Sequence, residues 1–426
     1  MRCDFDIAVI GGGPAGLAAA LEAKKTAPDA RIVVLERDRE LGGILQQCIH
    51  NGFGLHFFGE ELTGPEYVDR FVKRLEGTGI EVWTDALVLS LSQDRHIGCV
   101  SATRGLVTLT AGAVVLAMGC RERPRGALSI PGTRPAGVYT AGCAQRLNNI
   151  DGYLPGRHVV ILGSGDIGLI MARRMTWEGA KVELVAEILP YSSGLNRNIV
   201  QCLEDNGIPL RFNHTVTRIH GKERVEGVTV SEVDPATRLP IPGTSEFVAC
   251  DTLLLSVGLI PENELSKGAG VEIDPVTGGA VVDERRETSV PGVFACGNVL
   301  HVHDLVDNVS VEAMLAGASA AAYITGGGAS EAGYCSVVAK DGVRYTVPQK
   351  IRKGAVGKID LYFRVDGVYR DATVEVLSGD QVILSRRRQI VTPGEMEKVT
   401  IDAEKLRADA TVRLAGKGGA ACRAGN

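Results

Sequence analysis

The stretch GGILQQCIHNGFGLHFFGEE, Gly42 to Glu61, places one cysteine and two histidines around a run of spaced glycines. A lone thiolate at Cys48, beside a redox cofactor, could pass through a sulfenic acid, as a peroxidase or oxidase requires. The alternative is a buried, inert thiol, which the burial preference of cysteine favours. Cys48 follows Leu45 by three positions, so on a helix the two would share one face. His50 and His56 flank a glycine-punctuated bend, Asn51-Gly52-Phe53-Gly54, of a kind that lines pockets. Cys48 and His50 are the candidate catalytic residues, while His56 reads as an ordinary surface or core histidine.

Other reactive side chains are scattered. Ten cysteines stand at 3, 48, 99, 120, 143, 202, 250, 296, 335 and 422, and no two lie closer than 21 residues. The short spacing of a zinc knuckle, an iron–sulfur cluster or a redox dithiol is therefore missing. His301-Val302-His303-Asp304 would put two histidines on one face of a strand, but no thiolate or third histidine joins them locally. A pocket wall is the expected role there, and no metal is expected. Arg386-Arg387-Arg388 reads as a solvated strand end.

Two glycine turns carry stronger information. Gly11-Gly12-Gly13-Pro14-Ala15-Gly16 follows the apolar run FDIAVI and opens the helical stretch LAAALEAKK. Glycines in that context let the backbone approach a pyrophosphate, whose charge meets the helix N-terminus. RIVVLE ends at Glu36, 20 residues past Gly16, where a carboxylate accepts from a ribose hydroxyl. Gly163-Ser164-Gly165-Asp166-Ile167-Gly168 repeats the design between HVVIL and LIMARRMTWEG, with Glu187 at the end of KVELVAE. Ile188 and Leu189 follow, and no arginine is there to hold a 2′-phosphate, which favours NAD(H) over NADP(H). A structural adenine nucleotide at this second turn is the alternative.

The elements that position these residues form two parallel βαβ units. AVVLAMG, ending at Gly119, is the exit strand of the first, and TLLLSVG, ending at Gly258, that of the second. ETSVPGVFACGNV then offers a late strand, followed by a small-residue helix expected over Val309 to Tyr323. Beyond the flexible composition of GGGASEAG, alternating runs such as KIDLYFRV, ATVEVL and TVRLAG predict a small antiparallel β domain. The expected organisation is a first nucleotide-binding part at 1–122, a second nucleotide-binding fold at 123–285, a return to the first at 286–328, and the β domain at 334–426. A net charge of −5 gives no support to nucleic-acid binding. With no signal peptide or membrane-spanning run, a cytoplasmic protein is expected.

Taken in order, GGGPAG with Glu36, Gly42-Gly43, Ala117-Met118-Gly119, GSGDIG and Val293-Phe294-Ala295-Cys296-Gly297-Asn298 resemble the flavoproteins with two dinucleotide-binding domains. The resemblance covers about residues 4–330. It implies an α/β protein of two Rossmann-like folds, the NAD fold inserted in the FAD fold, and the cofactors FAD and NAD(H). Carried over to this chain, FAD contacts fall to Gly11, Gly13, Pro14, Ala15, Gly16, Glu36, Arg37, Gly42, Gly43, Ile44, Ala117 and Gly119. The late motif adds Gly297 and Asn298, and Asn308 and Val309 open the last helix toward the flavin's pyrimidine ring. The second fold adds Gly163, Gly165, Asp166, Ile167, Gly168, Glu187 and Gly258 for NAD(H). The family usually ends its late motif in Gly-Asp; Asn298 keeps a hydrogen bond there without the charge.

Disulfide reductases of this family carry two cysteines after the glycine pair, and here Leu45 and His50 fill those slots. The resemblance therefore argues against dithiol chemistry and puts His50 at a flavin-facing position. AMGCRERPR and VYTAGCAQ resemble the flavoprotein subunits of opine and proline dehydrogenases. GGILQQCIHNGFGLH and ELTGPEY resemble oxidoreductases of anaerobes that accompany a glycerol-3-phosphate-dehydrogenase-like protein, and that likeness extends over the β domain. Both imply a dehydrogenase partner subunit, with a homo-oligomer as the other arrangement. The implied activity is hydride exchange between NAD(H) and FAD, for which the cofactors carry the chemistry and no protein acid–base pair is needed. The rivals are an electron-transfer or scaffold subunit with a structural adenine nucleotide, and a Cys48-dependent NADH peroxidase or oxidase.

Overall fold

The structure, a computed structural model, describes residues 4–326 and 333–415. Cys3, Cys422 and most of the GGGASEAG linker lie outside the described residues. Phe5–Ile10, buried along nearly its whole length, runs parallel to Ile32–Leu35 on one side and to Gly105–Leu116 on the other. Val293–Ala295 joins the far side of Gly105–Leu116, also in parallel. Strands buried on both faces read as continuous apolar runs, which is why FDIAVI and AVVL show no alternation. The helix Pro14–Thr26 covers this sheet and packs against Val306–Ile324. Alanine and glycine permit that approach: a Cβ on Gly317 would stand 2.1 Å from the Ala19 carbonyl oxygen.

The second fold is a five-stranded parallel sheet in which His158–Leu162 lies between Lys181–Glu187 and Thr252–Leu255. In chain order it falls between Gly105–Leu116 and Val293–Ala295, so it is inserted in the first fold. Two expected boundaries move. The exit strands stop at Leu116 and Leu255, before their glycines. The last helix begins at Val306, because the extended backbone of Leu305 is its N-cap; Asn308 and Val309 therefore sit inside its first turn.

From Tyr334 to Ala415 the chain forms eight strands around its own core, centred on Leu361, Phe363, Val374, Val376 and Val412. Expected to be antiparallel, this region contains one parallel pair, Val337 to Ala339 beside Ala410 to Val412. The last strand returns next to the first in the same direction, which a meander of hairpins would not produce. The β region is bonded to the first fold at two places. Gln349 exchanges bonds with the Val282 backbone, and Arg352 pairs with Asp283 at 2.7 Å and also with Glu287. Arg364 reaches the Val302 carbonyl at 3.1 Å and the Asp304 carboxylate. No helix among the described residues is long and apolar enough to cross a membrane.

Candidate functional site

At the first glycine turn the backbone has almost no freedom. Gly11 has φ +107, and a Cβ there would lie 2.4 Å from the Ala117 carbonyl oxygen; a Cβ on Gly16 would lie 1.8 Å from that of Gly11. Gly13 differs: a Cβ on it would meet nothing within 4 Å, so this face of the turn is open. Pro14 occupies the first helical position, where its missing N–H costs nothing. The Glu36 carboxylate, nearly buried, accepts from the Gly12 N–H at 2.6 Å and the Asp38 N–H at 2.8 Å. Each oxygen keeps a lone pair for a ribose hydroxyl. An open turn at a helix N-terminus with an ionisable acceptor beside it fits a dinucleotide.

Gly42 and Gly43 back onto this turn. Gly42 donates to the Gly12 carbonyl at 2.8 Å, and both glycines have positive φ. A Cβ on Gly43 would sit 3.4 Å from Gly13 Cα. On the far side Gly297, also at positive φ, brings its Cβ position to 2.9 Å from the Ala15 side chain. Ala117 is buried and Gly119 has φ +73, while Arg37 is exposed on the surface beyond Glu36. Asn298 accepts from the His303 N–H at 3.0 Å and stands 3.6 Å from the Cys120 sulfur.

The second turn repeats the close approaches. A Cβ on Gly163 would lie 2.1 Å from the Ser256 carbonyl oxygen, and one on Gly168 2.6 Å from Ser256 Cβ. Glu187 accepts from Ser164, through N–H at 2.9 Å and hydroxyl at 2.6 Å, and from the Leu189 N–H at 3.0 Å. A clasp that no local motif announces also forms here. The segment Ser192 to Asn198 folds over the turn: Ser193 N–H donates to the Ser164 hydroxyl, and Leu195 N–H and Asn198 donate to Asp166 at 2.8 and 2.6 Å. Burial raises the Asp166 carboxyl above its usual range despite these donors.

One cavity of about 900 Å³ opens at the second turn and at the segment that follows Gly42 and Gly43, while Gly11 to Gly16 do not line it. From the first fold it is lined by Ile44, Cys48, His50 and Asn298, and from the second fold by Gly165, Asp166, Ile167 and Gly258. The β region adds Arg344, Tyr345 and Arg364, so it walls the cavity directly. Ile44 is more than half exposed toward this space.

The segment after Gly42 is not an α-helix but a short 3-10 turn, Gly43–Gln47, which ends at Cys48. Leu45 is buried and Cys48 half-buried. Gln47 fixes the turn by donating to the Gly142 carbonyl at 2.8 Å and to Gln145 at 3.0 Å. Burial pushes the Cys48 thiol up to about 12, far from the thiolate a redox catalyst needs. His50 bonds the Asn51 carbonyl at 3.0 Å, and burial lowers its pKa, with Arg173 and Arg197 acting in the same direction. The side chain of His56 is exposed, and its loop is held by Asp307, which accepts from the Gly54 and His56 N–H groups at 3.0 and 2.8 Å. All eight described cysteines are free.

His301 and His303 lie in a bend rather than a strand, yet they do converge, on Glu312 of the last helix. Local spacing could not reveal this third group. The available signal was that Glu312 is the one charged residue of the last helix after Asp307, amid small and apolar neighbours.

Comparison with known proteins agrees with this geometry. A family model described as pyridine nucleotide-disulphide oxidoreductase matches residues 5–320. An opine oxidase subunit of Agrobacterium tumefaciens (strain Ach5) is 26% identical over 321 residues, covering 69% of this chain and 61% of that protein. Thioredoxin reductase of Treponema pallidum is 27% identical over 310 residues, covering 70% and 90%. This chain thus spans less than two thirds of the opine oxidase protein and most of the reductase. Among solved structures, thioredoxin reductase of T. acidophilum superposes with a TM-score of 0.61 at 26% identity, over 75% of this chain and 99% of that one. L-proline dehydrogenase of P. horikoshii shares the fold at a TM-score of 0.51 and 21% identity, over 74% and 54%.

Proposed function

The chain belongs to the pyridine nucleotide-disulphide oxidoreductase family, an FAD- and NAD(P)H-using group, and on that premise we propose that it exchanges hydride between NAD(H) on the second fold and FAD on the first. The observation that carries this reading is the single cavity lined both by the segment Ile44 to His50 and by the turn Gly165 to Ile167. When bound, the two cofactors supply the redox chemistry. The residues of the chain bind and orient. The turn at Gly13 and the Glu36 carboxylate would hold the FAD pyrophosphate and ribose, and the turn at Gly165 with Glu187 would hold those of NAD(H). Gly42, Gly43, Gly297 and Asn298 would close around the flavin, and the first turn of Val306–Ile324, which carries Asn308 and Val309, would present the positive end of the helix dipole to the ring.

Electrons then pass to or from a second subunit or a small acceptor, not through a dithiol on this chain. Leu45 and His50 stand where paired thiols would be, and Cys48 is alone and protonated. The relative in Agrobacterium tumefaciens, named as one subunit of an opine oxidase, supports a partner protein here.

Anaerobic addition of NADH to the purified protein tests the proposal. Prompt loss of the oxidised-flavin absorbance is expected. An unchanged spectrum, with an adenine nucleotide retained on the second fold, would replace hydride exchange by a scaffold role.

A further inference from the structure

The carboxylate of Glu312 is completely buried and has four donors. Its Oε1 accepts from Arg286 Nε and His301 Nε2, each at 3.0 Å; its Oε2 accepts from the Gly297 N–H at 2.9 Å and His303 Nε2 at 3.0 Å. The two histidines and Glu312 are close enough to hold a metal ion. Two facts oppose that use. A carboxylate offers about four lone-pair sites, and all are taken. A guanidinium in direct contact would also repel a second cation in a dry site. The cluster is therefore a hydrogen-bonded hub.

What the hub holds is the late glycine motif. Gly297 lies against Ala15 in the first turn of the cofactor-cradling helix, and His303 N–H fixes Asn298. The seal over the hub comes from the β region. The Tyr362 ring stands edge-on to His301 at 5.8 Å and to His303 at 5.9 Å, and Arg286 lies 5.7 Å from its centroid. The same loop is bonded to that region through Val302 and Asp304. Among the described residues, Nδ1 of both histidines and Nη1 of Arg286 are buried without hydrogen-bond partners. An apolar filling of the same space would avoid that desolvation cost, so packing alone does not account for the cluster.

We propose that Glu312 is a positioning residue for the flavin, a buried charge sealed by Tyr362 that holds Gly297 and Asn298 and sets the field they present to the bound ring. The inference rests on FAD occupying the first fold. Replacing Glu312 by glutamine removes the negative charge, turns an amide toward two of the four donors and leaves Arg286 unbalanced. The field at the flavin becomes more positive, which favours the added electrons.

The test compares wild-type protein with Glu312→Gln and Tyr362→Leu by flavin content, FAD release rate, midpoint potential of the bound FAD and metal content. For Glu312→Gln a more positive potential is expected. Tyr362→Leu leaves all four bonds in place but admits water, and should release FAD several-fold faster with a shift of the same sign. It decides the matter if Glu312→Gln does not fold. Variants that lose FAD affinity while the FAD still bound keeps its wild-type potential would reduce the hub to a structural role and overturn the proposal. So would stoichiometric metal in the wild-type protein. Wild-type protein that binds no FAD would overturn the cofactor reading as well, whereas unchanged variants of an FAD-containing protein overturn the hub alone.

Discussion

Tyr362 of the β region and His301 of the loop before the last helix meet edge to face, with ring centroids 5.8 Å apart and planes inclined at 67°. His301 is fully buried among Tyr362, Tyr345, His303 and Glu312, and burial lowers its pKa to about 4. A histidine free in the unfolded chain titrates near 6.5. Between those values the unfolded chain binds a proton that the folded chain refuses, so stability rises with pH across the window and is lost as pH falls from 6.5 toward 4. The slope reaches about 1.4 kcal/mol per pH unit, or about 3 kcal/mol in all. Glu312 adds to the acid-side loss only lower down: burial pushes its carboxyl up, but His301, His303 and Arg286 outweigh this and hold it well below the usual range, so its contribution falls only as pH drops under about 4.5. Urea unfolding at steps from about pH 7 to about pH 4.5 should show this slope, and His301→Asn should flatten it. Equal slopes in the two proteins would reject the assignment.

Cys48→Ser is expected to leave NADH-dependent turnover within about twofold of wild type, because a thiol held near 12 contributes almost no thiolate at neutral pH. Peptide mapping after brief alkylation gives a second measurement. Cys143, which is exposed, should label well before Cys48. Loss of peroxide- or oxygen-dependent turnover in the serine variant would restore the peroxidase or oxidase reading.

Glu36 and Glu187 occupy equivalent places in the two folds, each accepting from its own glycine turn. If FAD and NAD(H) divide between the folds as proposed, glutamine substitutions should separate the two affinities. A lost charge-assisted hydrogen bond is worth about 1.5–3 kcal/mol, or roughly 10- to 150-fold in affinity. Glu36→Gln should weaken FAD retention by that factor. Glu187→Gln should keep its flavin and raise the KM for NADH. Flavin release on dilution and steady-state kinetics distinguish the outcomes, and loss of flavin from Glu187→Gln would contradict the division.

The parts of this architecture that sequence revealed are those whose partners lie close along the chain. Glycine spacing, the strand before it and the acid after it define each turn within some thirty residues, and the resemblance to a known family supplied their order. The helical reading of Leu45 and Cys48 failed because Gly42 and Gly43, both at positive φ, start a tighter turn. Glu312 was invisible because its donors come from Arg286, Gly297, His301 and His303, which converge only through tertiary packing. The clasp of Ser192 to Asn198 on Asp166 is likewise a contact between separated segments. An isolated sequence carries no trace of such pairings beyond an acid placed among small apolar neighbours.

Gly13 and Gly16 belong to the same motif but serve different purposes, and alanine at each should expose the difference. At Gly16 a Cβ would be driven to 1.8 Å from the Gly11 carbonyl oxygen, a backbone atom that cannot move without unseating the helix Pro14–Thr26 from its sheet. Gly16→Ala should therefore lower thermal stability and cofactor content together, by the several kcal/mol typical of severe overpacking, about 1–3 or more. At Gly13 the φ of −75 suits any L-residue and a Cβ meets nothing within 4 Å, so the chain itself should tolerate alanine. That empty space is where the backbone would meet a pyrophosphate, and a methyl group there would hold the phosphates off the helix N-terminus. Gly13→Ala should fold with unchanged thermal stability of the apoprotein while FAD content falls sharply. Thermal denaturation with and without added FAD measures both quantities in one experiment: wild type should gain stability from FAD, and Gly13→Ala should gain little. A Gly13→Ala protein that retains full flavin would show that the phosphates do not lie against this turn.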